Sequence, residues 1–323
     1  MPVMLWLRGD PWGYLEGTYR ELRKDTNNYM WTAATTNPAY VNNETGYAYL
    51  SLAEKDLSGN KTAYWKATEK LLGQCAKVVA DLIEDNPNYF LGVTTTSELK
   101  YNATDQSLDL DYNPNTIKEF ADYCKNKYGT VAKLNAACGT NFTTFALKST
   151  DYNPQTIENQ NGFDAPRVRN NSAFWKLWTA FRVEQVTNAV ERQVDIVGKY
   201  IDAKHIWTHQ IAIGQDPFVS PEEAGNIAGS NVGIDMFTHE VTNQLIKKIA
   251  SFVKNDYSRT WGVPEWLVMR ETHQNTSYAA LEIMDYYGVK YICPFWWGTN
   301  GNEYDIKGTG AEKGIVKYLR SLK

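Results

Sequence analysis

The sequence predicts an α/β protein with a parallel sheet, folded as one (β/α)8 TIM-type barrel domain over residues 1–323. Three observations carry this. Short apolar runs recur along the chain, stretches of helical periodicity alternate with them, and polar residues follow each run. A length of 323 residues is long for an ordinary domain but common for one α/β barrel. No glycine-rich phosphate fingerprint follows the first run, which favours a barrel over an open nucleotide-binding sheet.

Taken in order, the strand-like runs are "VMLWLR" (3–8), "YFLGVTTT" (89–96), "HIWTHQIA" (205–212), "VGIDMFT" (232–238), "EWLVMRE" (265–271) and "YICPFWW" (291–297), with "NYMWTAATT" (28–36) as a weaker seventh. Helical spacing of Leu71, Leu72, Cys75, Val78, Val79, Leu82 and Ile83 predicts a helix over 64–84. A second, over 174–200, carries Leu177, Trp178, Phe181, Val186, Val190, Val194 and Val197, and two more cover 278–287 and 311–322. The near-identical "DYNPNTI" (111–117) and "DYNPQTI" (151–157) read as two helix starts with proline in the first turn rather than as a duplication.

Composition narrows the partners. Lys plus Arg is 33 against 37 for Asp plus Glu, a net charge of −4 without long runs of either sign, so nothing points to nucleic acid. No stretch approaches a membrane span, and Met1-Pro2-Val3 leads into a strand-like run instead of a signal peptide. Eleven Trp and 21 Tyr exceed what a core of this size requires, and flat aromatic faces suit sugar rings. The four cysteines are scattered with no Cys/His pair at ligand spacing, so neither a metal site nor a disulfide framework is indicated, and no cofactor is expected.

In a (β/α) barrel the active site is built from the C-terminal ends of the strands. Those ends offer Arg8, Asp10 and Trp12 after the first run, then Ser97 and Glu98, His209 with Gln210, His239 with Glu240, Glu271 with His273, and Trp296 with Trp297. Two glutamates facing each other across a cleft are what glycosidic cleavage needs: one protonates the leaving oxygen while the other attacks or directs water. Glu98 lies among hydroxyls and apolar neighbours, where desolvation would keep it protonated as the acid. Glu271, between Arg270 and His273, is the candidate nucleophile. Arg8, Asp10, Trp12, Ser97, His209, His239, Glu240, His273, Trp296 and Trp297 are candidate substrate contacts.

The segment "EFADYCKNKYGTVAKLNAACGTNFTTF" (119–145), with Tyr128-Gly129-Thr130, Leu134-Asn135 and Gly139-Thr140 before Phe142, resembles the family 42 β-galactosidases of glycoside hydrolase clan A. The resemblance implies a barrel with the acid/base at the end of strand four and the nucleophile at the end of strand seven, matching Glu98 and Glu271. It also implies a retaining mechanism, an aromatic from strand eight under the sugar (Trp296 or Trp297), and an oligosaccharide or polysaccharide substrate.

Three departures stand out. Ser97 replaces the Asn usual before the acid/base, Cys138 stands where Trp is common, and too few strands precede Glu98. The last implies a barrel incomplete at its N-terminus, the chain then being part of a larger one, or a barrel closed differently; a homo-oligomer is the other expected assembly. A non-catalytic carbohydrate-binding barrel is the alternative that Ser97 and the short strand count suggest.

Overall fold

The computed structural model describes residues 3–7, 18–33, 49–95, 99–101, 109–148, 162–210, 222–236, 242, 260–295 and 305–322. Six short strands lie among them: β1 (Val3–Trp6), β2 (Phe90–Thr94), β3 (Ile206–Trp207), β4 (Val232–Gly233), β5 (Trp261–Leu267) and β6 (Ile292–Phe295). They form two parallel three-stranded sheets, β1-β2-β3 and β4-β5-β6. Backbone bonds past the strand cores join the two. Thr208 N–H donates to Asn231 O (3.0 Å), Gln210 N–H to Gly233 O (3.0 Å) and Asp235 N–H to Gln210 O (2.8 Å), with parallel bridges Trp207–Asn231 and Gln210–Ile234. The six strands thus run β1 to β6 side by side in chain order, all parallel, so their C-terminal ends share one face.

Crossover connections between parallel strands need helices, and these occur where the apolar spacing places them. Helix α1 (Thr18–Leu22) is short, α2 (Ala63–Asp85) precedes β2, and α3 (Pro114–Tyr128) and α4 (Val131–Cys138) follow it. Helix α5 (Ala173–Gly198) leads to β3, α6 (Gln274–Tyr286) to β6, and α7 (Gly310–Ser321) comes last. Asn113 caps α3 by accepting the Asn115 N–H, with Pro114 in the first turn; Ser172 caps α5 through the Trp175 N–H. The buried stripe of α2 is narrower than its spacing suggests: Leu72, Ala76, Val79 and Ile83 are buried, while Val78 and Leu82 face solvent.

Helix α5 serves two cores. Its first half places Phe174, Trp178 and Phe181 in an aromatic cluster with Phe120 and Phe163. Its second half lays Val186, Val190, Val194 and Val197 against Val93 and Ile206 of the sheet. A third cluster joins Val232, Ile234, Val263 and Trp266 to Leu281, Met284 and Ile315 of α6 and α7.

Two sequence expectations change here. The weak seventh run, 28–36, is no barrel strand over its described part: Met30 N–H donates to Tyr49 O, Ser51 N–H to Asn28 O and Tyr112 N–H to Trp31 O. Its polar backbone is taken up by antiparallel pairing at Tyr29–Leu50 and by the segment entering α3. The fifth run starts earlier and stops sooner than 265–271. Strand β5 ends at Leu267, where Val268 N–H turns back to Trp266 O.

Close approach between strands depends on glycine. A Cβ on Gly233 would lie 2.0 Å from the Thr208 carbonyl oxygen and one on Gly92 2.1 Å from that of His205. Gly233→Ala is therefore expected to lower stability by about 1–3 kcal/mol, read by urea denaturation; an unchanged midpoint would contradict the close β3–β4 contact.

Around the helices, Glu119 on α3 fastens the 51–62 segment: one carboxylate oxygen accepts the Glu54 and Lys55 N–H groups, the other the Gln185 side-chain amide. It borders a cavity of about 270 Å³ lined also by Glu54, Trp65, Gln185 and Arg192, with no strand residue. Burial pushes the Glu119 carboxyl up to about 7, and the Gln185, Lys55 and Glu54 donors only partly oppose it. The pKa is raised on folding, so the stabilisation from the neutral acid is full below its ordinary value of 4.5 and lost as pH rises through 7. Wild-type stability relative to Glu119→Gln is expected to fall by roughly 3 kcal/mol between pH 4.5 and 8; a pH-independent difference would refute it.

Candidate active site

At the C-terminal face the interior side chains come from alternate positions of each strand. Leu5 of β1 and Leu7 just beyond it pack outward on the α2 and α5 core, which turns Trp6 inward, where its ring meets the His209 imidazole edge-on at 5.0 Å. Val232, Ile234 and Met236 pack outward on α6 and α7, which turns Asp235 inward. Deeper in the interior, Trp207 meets the Tyr291 ring at 4.8 Å and 88°. Gly262 leaves room for that ring, since a Cβ there would lie 2.2 Å from it.

Three polar groups converge on this face. His209 Nε2 is 2.9 Å from Asp235 Oδ2 and 3.9 Å from Glu265 Oε1. The other oxygen of Asp235, Oδ1, accepts the Glu265 N–H at 2.8 Å. His209 and Asp235 are fully buried, whereas the Glu265 side chain keeps 15% of its exposure. Cys293 of β6 belongs to the same neighbourhood: burial pushes its thiol up to about 11, and the negative charges of Glu265 and Asp235 add to the rise.

The chain immediately beyond the Ser97-Glu98 pair is firmly held. Gln210 Nε2 donates to Leu99 O at 2.7 Å. The Tyr101 hydroxyl lies 2.8 Å from Gln185 Oε1 and 3.0 Å from Arg182 O, with the Arg182 guanidinium 3.6 Å over its ring. Leu99, Tyr101, Arg182 and Gln210 are all buried, so the chain at 99 and 101 is fixed by these contacts.

Of the candidate catalytic and substrate-contact residues named from sequence, three are described. Glu271 lies in a turn closed by Thr272 N–H to Met269 O (3.0 Å), on the loop leaving the C-terminal end of β5, with its side chain exposed. It sits beyond the strand rather than on it. His273 caps α6, its Nδ1 accepting the Asn275 N–H at 3.2 Å. His209 is in the interior, beneath Trp6 and beside Asp235. Arg8, Asp10, Trp12, Ser97, Glu98, His239, Glu240, Trp296 and Trp297 lie outside the described residues.

Sequence reasoning passed over Trp6, Asp235, Glu265 and Cys293. An acid inside the apolar run "VGIDMFT" was the available signal for Asp235. Glu265 looked like the start of a strand, whereas it lies in the middle of β5.

Comparison with known proteins places this architecture. The family model described as "Beta-galactosidase" matches residues 30–282. No curated protein matches. Among solved structures, a β-galactosidase from the psychrophilic Marinomonas ef1 superposes with a TM-score of 0.65 at 12% identity, covering 100% of this chain and 50% of that one. The catalytic domain of a β-amylase from Paenibacillus polymyxa gives 0.63 at 14%, covering 100% and 82%. An exo-carrageenase from Bacteroides ovatus gives 0.57 at 12%, covering 99% and 48%. The fold is therefore that of the TIM-barrel glycosidases, and the chain spans about half the length of the β-galactosidase and exo-carrageenase chains it matches.

Replacing Gln210 by Leu keeps the side chain's bulk and removes the donor to Leu99 O. Gln210→Leu is expected to cost about 1–3 kcal/mol in urea denaturation, and an unaffected stability would show that this carbonyl does not depend on Gln210.

Proposed function

Because the chain belongs to the β-galactosidase family of glycoside hydrolases, we propose that it is a retaining glycoside hydrolase acting on a β-linked galactoside, with Glu98 as acid/base and Glu271 as nucleophile. One observation carries the reading: both glutamates fall within the matched stretch, and each follows the C-terminal end of a parallel strand, β2 for Glu98 and β5 for Glu271. The six strands form, on this reading, an arc of a closed eight-stranded barrel.

Glu98 protonates the glycosidic oxygen as Glu271 attacks the anomeric carbon, giving a glycosyl-enzyme ester; Glu98 then deprotonates the water that cleaves it. Gln210 clasps Leu99 and Tyr101 clasps α5, one and three residues beyond Glu98, and a fold that fixes a proton donor against a leaving group needs such anchors close to it in the chain. Trp6, partly exposed beside the interior cluster, supplies an aromatic face of the kind that stacks on a sugar ring. Arg8, Asp10, Trp12, Ser97, His239, Glu240, His273, Trp296 and Trp297 are proposed contacts at the same mouth.

Leaving-group dependence separates the two roles. Glu271→Gln is expected to lower kcat on aryl β-galactosides by roughly 10³-fold or more, whatever the leaving group. Glu98→Gln should be comparably impaired with a poor leaving group, yet its glycosylation step should proceed with an activated one that needs no proton. A wild-type chain that binds galactosides and hydrolyses none of them would overturn the proposal.

A further inference from the structure

The interior cluster His209, Asp235 and Glu265 is not used by the two-glutamate reaction, and its geometry points to a further role. We propose that these three side chains form a binding site for a divalent metal ion of the zinc class. The proposal does not depend on the roles given to Glu98 and Glu271.

The chain just past β3 (His209), the chain just past β4 (Asp235) and β5 itself (Glu265) each bring one donor to the same point. One ligand atom of each of His209, Asp235 and Glu265 lies within 4.8 Å of the other two. Bonds of about 2.0–2.1 Å in a tetrahedral site put ligand atoms about 3.3 Å apart. The two separations from His209 Nε2, 2.9 Å and 3.9 Å, straddle that value. Closing the site around an ion requires the His209–Glu265 separation to shorten by roughly 0.6 Å and the two carboxylates, within 4.8 Å of each other, to draw in on the ion.

The donors are also held as metal ligands usually are. Asp235 Oδ1 is occupied by the Glu265 N–H, which fixes the carboxylate with Oδ2 directed at His209. The Trp6 ring packs edge-on against the imidazole and restrains its rotation. Two carboxylates with a neutral imidazole carry the charge that a dication matches, and one nitrogen with two oxygens is a donor set suited to zinc. Three protein ligands leave a fourth position, and the partial exposure of Glu265 and Trp6 marks the side from which water or a substrate hydroxyl reaches it.

The test uses the whole chain stripped with EDTA and titrated calorimetrically with Zn²⁺ and, separately, Mn²⁺, alongside visible absorption after Co²⁺ addition. One equivalent of Zn²⁺ should bind, raise the unfolding temperature and compete with Co²⁺ whose spectrum is that of a four-coordinate ion. Glu265→Gln, isosteric and partly exposed, should weaken binding at least about tenfold, and so should His209→Gln. His205→Gln, whose imidazole bonds Leu91 O outside the cluster, should bind like the wild type. Should His209→Gln fail to fold, Glu265→Gln decides. Absence of saturable binding, or Glu265→Gln binding as tightly as the wild type, would overturn the proposal.

Discussion

The arrangement rests on the backbone ladder between β3 and β4. Bonds from Thr208, Gln210 and Asp235 to the facing strands connect what would otherwise be two separate sheets, and they fix one parallel register across all six strands. Parallel register is what sends every strand's C-terminal end to the same face. Gly233 makes the ladder possible, because any side chain there would collide with the Thr208 carbonyl. A shift of that register by one residue would turn Asp235 out toward α6 and α7 and Ile234 into the interior.

Packing outside the sheet supports the same register. Helix α5 ties the first sheet to the aromatic cluster around Phe120, and α6 with α7 cover the second. Tyr101, beyond β2, reaches back to α5 through Arg182 O and Gln185, so the helix layer also holds the chain at 101.

Much of this was legible in the sequence. Helices α2, α5, α6 and α7 fall within a few residues of their apolar spacing, because that period reflects the single face each one buries. Strand ends were harder. The apolar run through Leu267, Val268 and Met269 continues past the point where β5 loses its partner, so Glu271 looked like a strand residue when it belongs to a loop. The cluster of His209, Asp235 and Glu265 left no motif, since its members are widely spaced and meet only through the registers of β3, β4 and β5. A search for short Cys/His spacing is blind to a site assembled across three strands.

In the proposed reaction Glu271, after β5, would form the covalent bond to sugar and Glu98 would act opposite it. Trapping the chain with a 2-deoxy-2-fluoro-β-galactoside bearing an activated leaving group, then mapping the modified peptide by mass spectrometry, tests it most directly. The account predicts one fluorosugar per chain, esterified to Glu271. A label on Glu265 or another carboxylate would contradict it, as would turnover of the same sugar without any covalent intermediate.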